Sequence, residues 1–228
     1  MDVTNMQWGP DVSHYRPVRD WGKLAGSGAT FFGAKSTEGV HTIDDFFAEH
    51  RDGFRQHCQG FEMAVWYHFF HAEKDPRDQA DRFAEVVGQL QPRERLCCDF
   101  EGKSYSSLAP SVVQMHGLEF LDAFYARLEE VGAFGESRPL IYTSARHWQA
   151  IGDPLWERAN HIDLWVPRYH LPDPQAPTTL PRPWASWAVL QYTDGNEGVH
   201  REVPGVGLCD CNVIAEPSQC SADHPENG

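Results

Sequence analysis

Basic residues are scarce in this chain. Lysine and arginine together number 19 of 228 residues, against 33 aspartates and glutamates, for a formal net charge of −14. A nucleic-acid binder needs a basic footprint, and an anionic membrane surface attracts basic patches, so neither partner is expected. No apolar run approaches the ~20 residues of a membrane helix. The opening "MDVTNMQWGPDVSHY" has neither a basic n-region nor an apolar h-region, so it does not read as a signal peptide. The six cysteines are also few, and Cys97-Cys98 and Cys209-x-Cys211 do not match zinc spacings such as C-x2-C. Buried thiols are the favoured reading, and one disulfide involving Cys58 or Cys220 is left open. There is no internal repeat and no G-x-S-x-G nucleophile elbow. "EGKSY" (101–105) contains Gly-Lys-Ser, but the glycine that a phosphate loop needs five positions before Gly102 is Cys97. No cofactor and no metal are therefore expected.

What is present is a soluble, aromatic-rich domain of 41% apolar and 23% charged residues. Strand-like stretches stand at 7–15, 29–36, 61–70, 94–101, 138–144, 161–169, 186–193 and 207–214. Helical periodicity follows the early ones: a short segment after residue 18, then 43–58, 76–90 and 110–132. After residue 144 the helices thin out and proline-rich loops take their place. Alternation on this scale predicts one parallel α/β barrel. An open doubly wound sheet is the alternative, but it would want a glycine-rich loop after the first strand, and none is there. The polar residues 215–228 read as a loose tail on a domain spanning 1–214.

The stretch "LCCDFEG" (96–102) places Asp99 and Glu101 two residues apart in an otherwise apolar strand. Strand side chains alternate, so both carboxylates face one way, with Cys97 below them. A buried carboxylate is costly unless it is paired or used. Asp11 in the first strand and Asp210 in the last occupy comparable positions, and the first and last strands of a closed barrel are neighbours. Several acids in one cleft cannot all ionise freely, so at least one should hold its proton near neutrality. A protonated carboxyl beside ionised ones is the equipment of glycosidic bond cleavage. A rival grouping, His68 and His71 with Asp99 around a metal, meets the objection that three-residue spacing does not put both rings on one strand face.

Eight short stretches occur in an order that resembles glycoside hydrolase family 25, the Chalaropsis-type lysozymes: "DVSHY" (11–15), "AKSTEG" (34–39), "WYHFF" (66–70), "DFEG" (99–102), "LIYTS" (140–144), "LWVPRY" (164–169), "LQYTDG" (190–195) and "CDCNVI" (209–214). The resemblance runs from Gly9 to Ile214. It implies a modified barrel of five β/α units followed by three strands with few helices. It also implies hydrolysis of the β-1,4 bond between N-acetylmuramic acid and N-acetylglucosamine in peptidoglycan. Glu101 would be the general acid. Asp99 would orient the substrate's 2-acetamido group or stabilise an oxocarbenium-like charge, and Asp11 and Asp210 would complete the acidic cluster. Retention through the acetamido oxygen suits such a pair, while inversion through water stays open.

Tyr67, Tyr142, Trp165, Tyr169 and Gln191 are the candidate sugar contacts, with core packing as the competing role at each. Lys35 and Glu38 stand at the end of the second strand, as substrate contacts or as a structural ion pair. Pro10, Cys97-Cys98 and the bulky "AVWYHFF" depart from the family pattern without removing a candidate acid. The implied partner is a peptidoglycan glycan strand, met by a monomer outside the cell through an unspecified export route. Two other readings compete: a metal-dependent polysaccharide hydrolase or deacetylase, and a glycan-binding barrel without activity.

Overall fold

The structure is a computed structural model that describes residues 7–169, 177–196 and 202–215. The expected tail lies outside these beyond Ala215. Eight strands close into a barrel: β1 (Trp8–Val12), β2 (Phe31–Glu38), β4 (Met63–Phe69), β5 (Glu94–Asp99), β6 (Leu140–Tyr142), β7 (Asp163–Pro167), β8 (Val189–Thr193) and β11 (Asp210–Ile214). A two-residue strand, β3 (Thr42–Ile43), pairs with β2 outside the ring, and β9 (Glu202–Val203) and β10 (Gly207–Leu208) form a small hairpin. Each of the eight barrel strands falls on a strand-like stretch of the sequence.

From β1 through β8 neighbouring barrel strands run parallel. The expectation of an all-parallel barrel fails at the last strand, since β11 is antiparallel to both β8 and β1. A parallel neighbour needs a crossover that carries the chain back to the far end of the barrel. Between β8 and β11 no helix stands among the described residues, and β9 and β10 keep the chain at the mouth. The last strand therefore starts where the other strands end.

Five helices coat the early half: α1 (Trp21–Ala25), α2 (Phe47–His57), α3 (Pro76–Val87), α4 (Pro110–Glu130) and α5 (Ala145–Ala150). Local chemistry sets their ends. Asp75 accepts from the backbone N–H of Arg77 and Asp78, and Pro76 fills the first turn of α3, where its missing N–H costs nothing. The second helix begins four residues later than periodicity predicts, because Asp44 turns the chain there and its Oδ1 accepts from the Phe46 N–H at 3.1 Å.

Alternation along the strands separates two cores. Phe31, Val65, Cys97, Leu140, Trp165 and Val189 fill the barrel interior. Phe32, Trp66, Cys98, Ile141 and Leu164 face outward against the helices. The odd-numbered positions of β5 thus point inward, which carries Asp99 to the top of the barrel above Cys97.

Candidate active site

The carboxylate loop is held by its own backbone. At the end of β5 the Phe100 N–H donates to the Tyr142 carbonyl at 2.9 Å, and the Phe100 ring turns out to pack on Phe70 and Tyr105. A 3-10 turn over Gly102–Tyr105 follows. Its buried Ser104 accepts the Glu101 N–H at 3.1 Å and donates to the Asp99 carbonyl at 3.3 Å. Glu101 is thereby fixed in extended geometry just above Asp99, half-buried at the mouth.

Asp11 and Asp210 are direct partners across the β1–β11 pair. Room for Asp11 comes from Gly33 beside it on β2, where an added Cβ would lie 2.6 Å from the Asp11 Cβ. Asp11 Oδ2 accepts from Asn212 Nδ2 at 2.7 Å and from Gln191 Nε2 at 2.8 Å. Gln191 Nε2 also reaches Asp210 Oδ2 at 3.4 Å, and its Oε1 accepts from the hydroxyls of Tyr142, at 2.7 Å, and Tyr169. Asn212 is oriented in turn by Trp165, whose indole N–H donates to its Oδ1 at 2.8 Å. One amide network therefore ties two acids to two tyrosines and a tryptophan.

The acids meet in one cleft of about 270 Å³, lined by Asp99, Glu101 and Asp210 together with Tyr67, Tyr142, Trp165, Tyr169 and Gln191. Burial dominates their electrostatics. It pushes Asp99 well above the ordinary carboxylate range, with Glu101 adding to the rise and Lys35 opposing it. Burial also raises Glu101, against Lys103 and Lys35. Asp11 rises through burial although two amides donate to it, and Asp210 rises further, through burial first and then the neighbouring Asp11. Asp99 Oδ1 is out of contact with solvent and has no hydrogen-bond partner among the described residues.

The candidate sugar contacts divide. Tyr67 and Tyr169 are half-buried on the cleft wall, and Tyr67 donates to the Val12 carbonyl at 3.1 Å. Tyr142, Trp165 and Gln191 form the floor and are almost wholly buried. Trp165 meets Phe31, Tyr67 and Tyr142 edge to face. Lys35 and Glu38 are not in the cleft lining. They pair with each other at 2.5 Å, Glu38 also meets His71 at 2.9 Å, and Lys35 reaches the cleft through the Phe69 ring, whose centroid lies 5.1 Å from its Nζ, and through its field on Asp99 and Glu101.

The two histidines of the rival metal grouping do not converge with Asp99. His68 is buried on the outer side of β4, against Phe83 and Phe124, between Thr37 Oγ1 at 2.8 Å and Gln79 Oε1 at 3.2 Å. Among the described residues no three His, Cys, Asp or Glu side chains are arranged to hold a metal.

Asn212, Ser13, Tyr15, Phe69 and Lys103 belong to the site and were not among the sequence candidates. Asn212 was within reach of strand parity, since it stands two residues after Asp210 and faces the same way. Another depression, of about 340 Å³ around Tyr125, Arg138 and Arg158, lies beside Pro139 and Ile162, where β6 and β7 begin. It contains none of the four acids.

Comparison with known proteins supplies relatives for this geometry. The family profile "Glycosyl hydrolases family 25" matches residues 10–200. Lysozyme M1 of Streptomyces globisporus is 25% identical over 197 residues, 84% of this chain and 63% of that protein, so this chain spans under two thirds of its length. The bacterial lysozyme from Streptomyces coelicolor superposes with a TM-score of 0.74 at 26% identity, covering 93% of this chain and 94% of that one. The muramidase from Acremonium alcalophilum gives 0.71 at 24% identity over 92% and 95% of the two chains, a likeness of fold.

Proposed function

Because the chain belongs to glycosyl hydrolase family 25, we propose that it is a lysozyme: it cleaves the β-1,4 bond between N-acetylmuramic acid and N-acetylglucosamine in peptidoglycan glycan strands, outside the cell. The observation that carries this is the convergence of Asp99, Glu101 and Asp210 on one aromatic-walled cleft, with Asp11 hydrogen-bonded behind them. Glu101 is the general acid. It is the last residue before the turn, it faces the cleft, and burial helps it keep a proton to give to the leaving oxygen.

Asp99 handles the 2-acetamido group. Asp99 stands half-buried on the cleft lining. An acetamido N–H donating to its cleft-facing oxygen would hold Asp99 ionised, leave the proton on Glu101, and aim the acetamido oxygen at the anomeric carbon. Asp11 in its ionised form adds negative charge behind the pair, which favours an oxocarbenium-like transition state, and Asp210, raised further, holds its proton beside it. The tyrosine and tryptophan faces supply sugar platforms.

Mass spectrometry of borohydride-reduced fragments from purified peptidoglycan tests this. Wild type is expected to yield muramitol ends, and Glu101→Gln to cut the rate by about 10³-fold, within the range for losing a general acid. Glucosaminitol ends would move the cleaved bond. Release of acetate or peptide without new reducing ends would overturn the glycosidase reading, and binding with no product from any wall type would leave a glycan-binding barrel. Activity should also decline as pH rises through the raised pKa of Glu101, and a profile flat into alkaline pH would remove Glu101 from the acid's role.

A further inference from the structure

Positive charge on this acidic molecule is mostly neutralised where it stands. Arg51, Arg77, Arg82 and Arg127 on the helices each lie 2.6 to 3.0 Å from a carboxylate. Two cations that line the cavities at the mouth do otherwise. Arg16, just after β1, and Lys103, in the turn after Glu101, are exposed and make no ion pair among the described residues. Arg16 is fastened by its own neighbour, donating from Nη1 to the Tyr15 carbonyl at 3.1 Å.

Their placement is specific. A second cavity of about 320 Å³ adjoins the acid cleft and is lined by Asp11, Asp210 and Arg16. The two cavities share Ser13, Tyr15, Tyr67 and Asp210, so they form one continuous groove. Lys103 stands at the end that holds Asp99 and Glu101, and Arg16 at the end that holds Asp11 and Asp210. Tyr15, 72% exposed, lines both cavities. Both cations act on the acids next to them: Lys103 opposes the rise at Glu101, and Arg16 the rise at Asp210. An exposed cation without a carboxylate partner does little for the fold. At each end of an acidic groove, however, it gives an approaching anion a place to settle.

We propose that Arg16 and Lys103 bind carboxylate groups carried by the glycan, one at each end of the groove, so that the enzyme selects carboxylated over uncharged β-1,4 glycans. This rests on the lysozyme reading of the same groove. Two substituents of a muramyl glycan carry that chemistry: the 3-O-lactyl ether and the attached peptide. Without the two cations, the four acids and the net charge of −14 would repel both.

Binding measured in a Glu101→Gln parent, where turnover is suppressed, tests the proposal apart from catalysis. The probes are peptide-free glycan strands with free lactyl carboxylates, the same strands with peptides attached, and uncharged N-acetylglucosamine oligomers. Arg16→Gln and Lys103→Gln are each expected to raise Kd for carboxylated strands by about fivefold, the upper range for an exposed ion pair. The Kd for uncharged oligomers should move far less. Lys74→Gln, which removes an exposed charge outside both cavities, is the control. A defect on peptide-free strands assigns the lactyl group as the ligand, and a defect only on peptide-bearing strands assigns the peptide. An equal defect on uncharged oligomers, an equal effect of Lys74→Gln, or no defect on any strand would overturn the proposal. Unaltered melting temperatures show that the variants fold. Failure of the wild type to cleave any strand would instead count against the lysozyme reading, and the binding comparison would still stand.

Discussion

Four acids at one mouth set a cost as well as a chemistry. Asp210 illustrates it, since its folded pKa lies above that of a free carboxyl. The folded chain then holds this proton more tightly than the unfolded chain. Its contribution to stability is intact below the ordinary carboxylate range and is lost as pH rises through the raised value. Asp210→Asn has no such loss. It is expected to raise the melting temperature by about 3 °C at pH 8 and to leave it unchanged at pH 4, with activity reduced at both. Calorimetry at the two pH values checks this, and an equal gain at both would point to packing rather than charge. At this scale the acids were legible from the two-residue alternation of strands. The roles of Lys35 and Glu38 were not. A charged pair near a strand end reads the same whether it faces the cleft or closes on itself, and here the 2.5 Å ion pair draws both inward on each other.

Among elements, the end of the barrel away from the cleft is pinned by one buried ion pair. Arg55 on α2 grips Glu94 at the start of β5 through two hydrogen bonds of 2.7 Å, and the Glu94 side chain is only 1% exposed. Glu94 also accepts the Gln91 N–H at 3.0 Å. Arg55→Ala would strand a buried carboxylate and should cost about 3–5 kcal/mol in denaturant titration. A cost under 1 kcal/mol would mean that water reaches Glu94. All eight barrel strands could be found in the sequence because apolar alternation marks a strand. Their direction could not, because alternation reads the same from either end. Among the described residues no helix precedes β11 to carry the chain back, and the thinning of helical periodicity after residue 144 leaves the direction of the last strand unmarked.

The whole molecule carries −14, and the glycan strands of the proposed function are themselves anionic in many cell walls. Repulsion between a protein and an extended wall acts over several ångströms of solvent, and salt shortens its reach to about 8 Å at physiological ionic strength. Lysis of intact walls should therefore rise by several-fold between about 10 mM and 150 mM salt, where the screening length contracts most. Turbidity assays over that range test it, and a monotonic fall would show that attraction at the groove dominates even at a distance.

Closure of the ring by β1 and β11 bears on how the protein is made. Asp11 receives its hydrogen bonds from Gln191 and Asn212, which follow it by 180 and 201 residues. A chain emerging from the ribosome exposes Asp11 at least 180 residues before those donors exist. Until then β1 and β8 remain raw edges, open to pairing with other chains. The acid that sits deepest in the groove is thus made long before the amides that hold it, and bringing such distant partners together is the slow kind of folding step. An unfinished chain therefore has neither a complete acid cluster nor a closed ring, and its open strand edges can pair with those of its like.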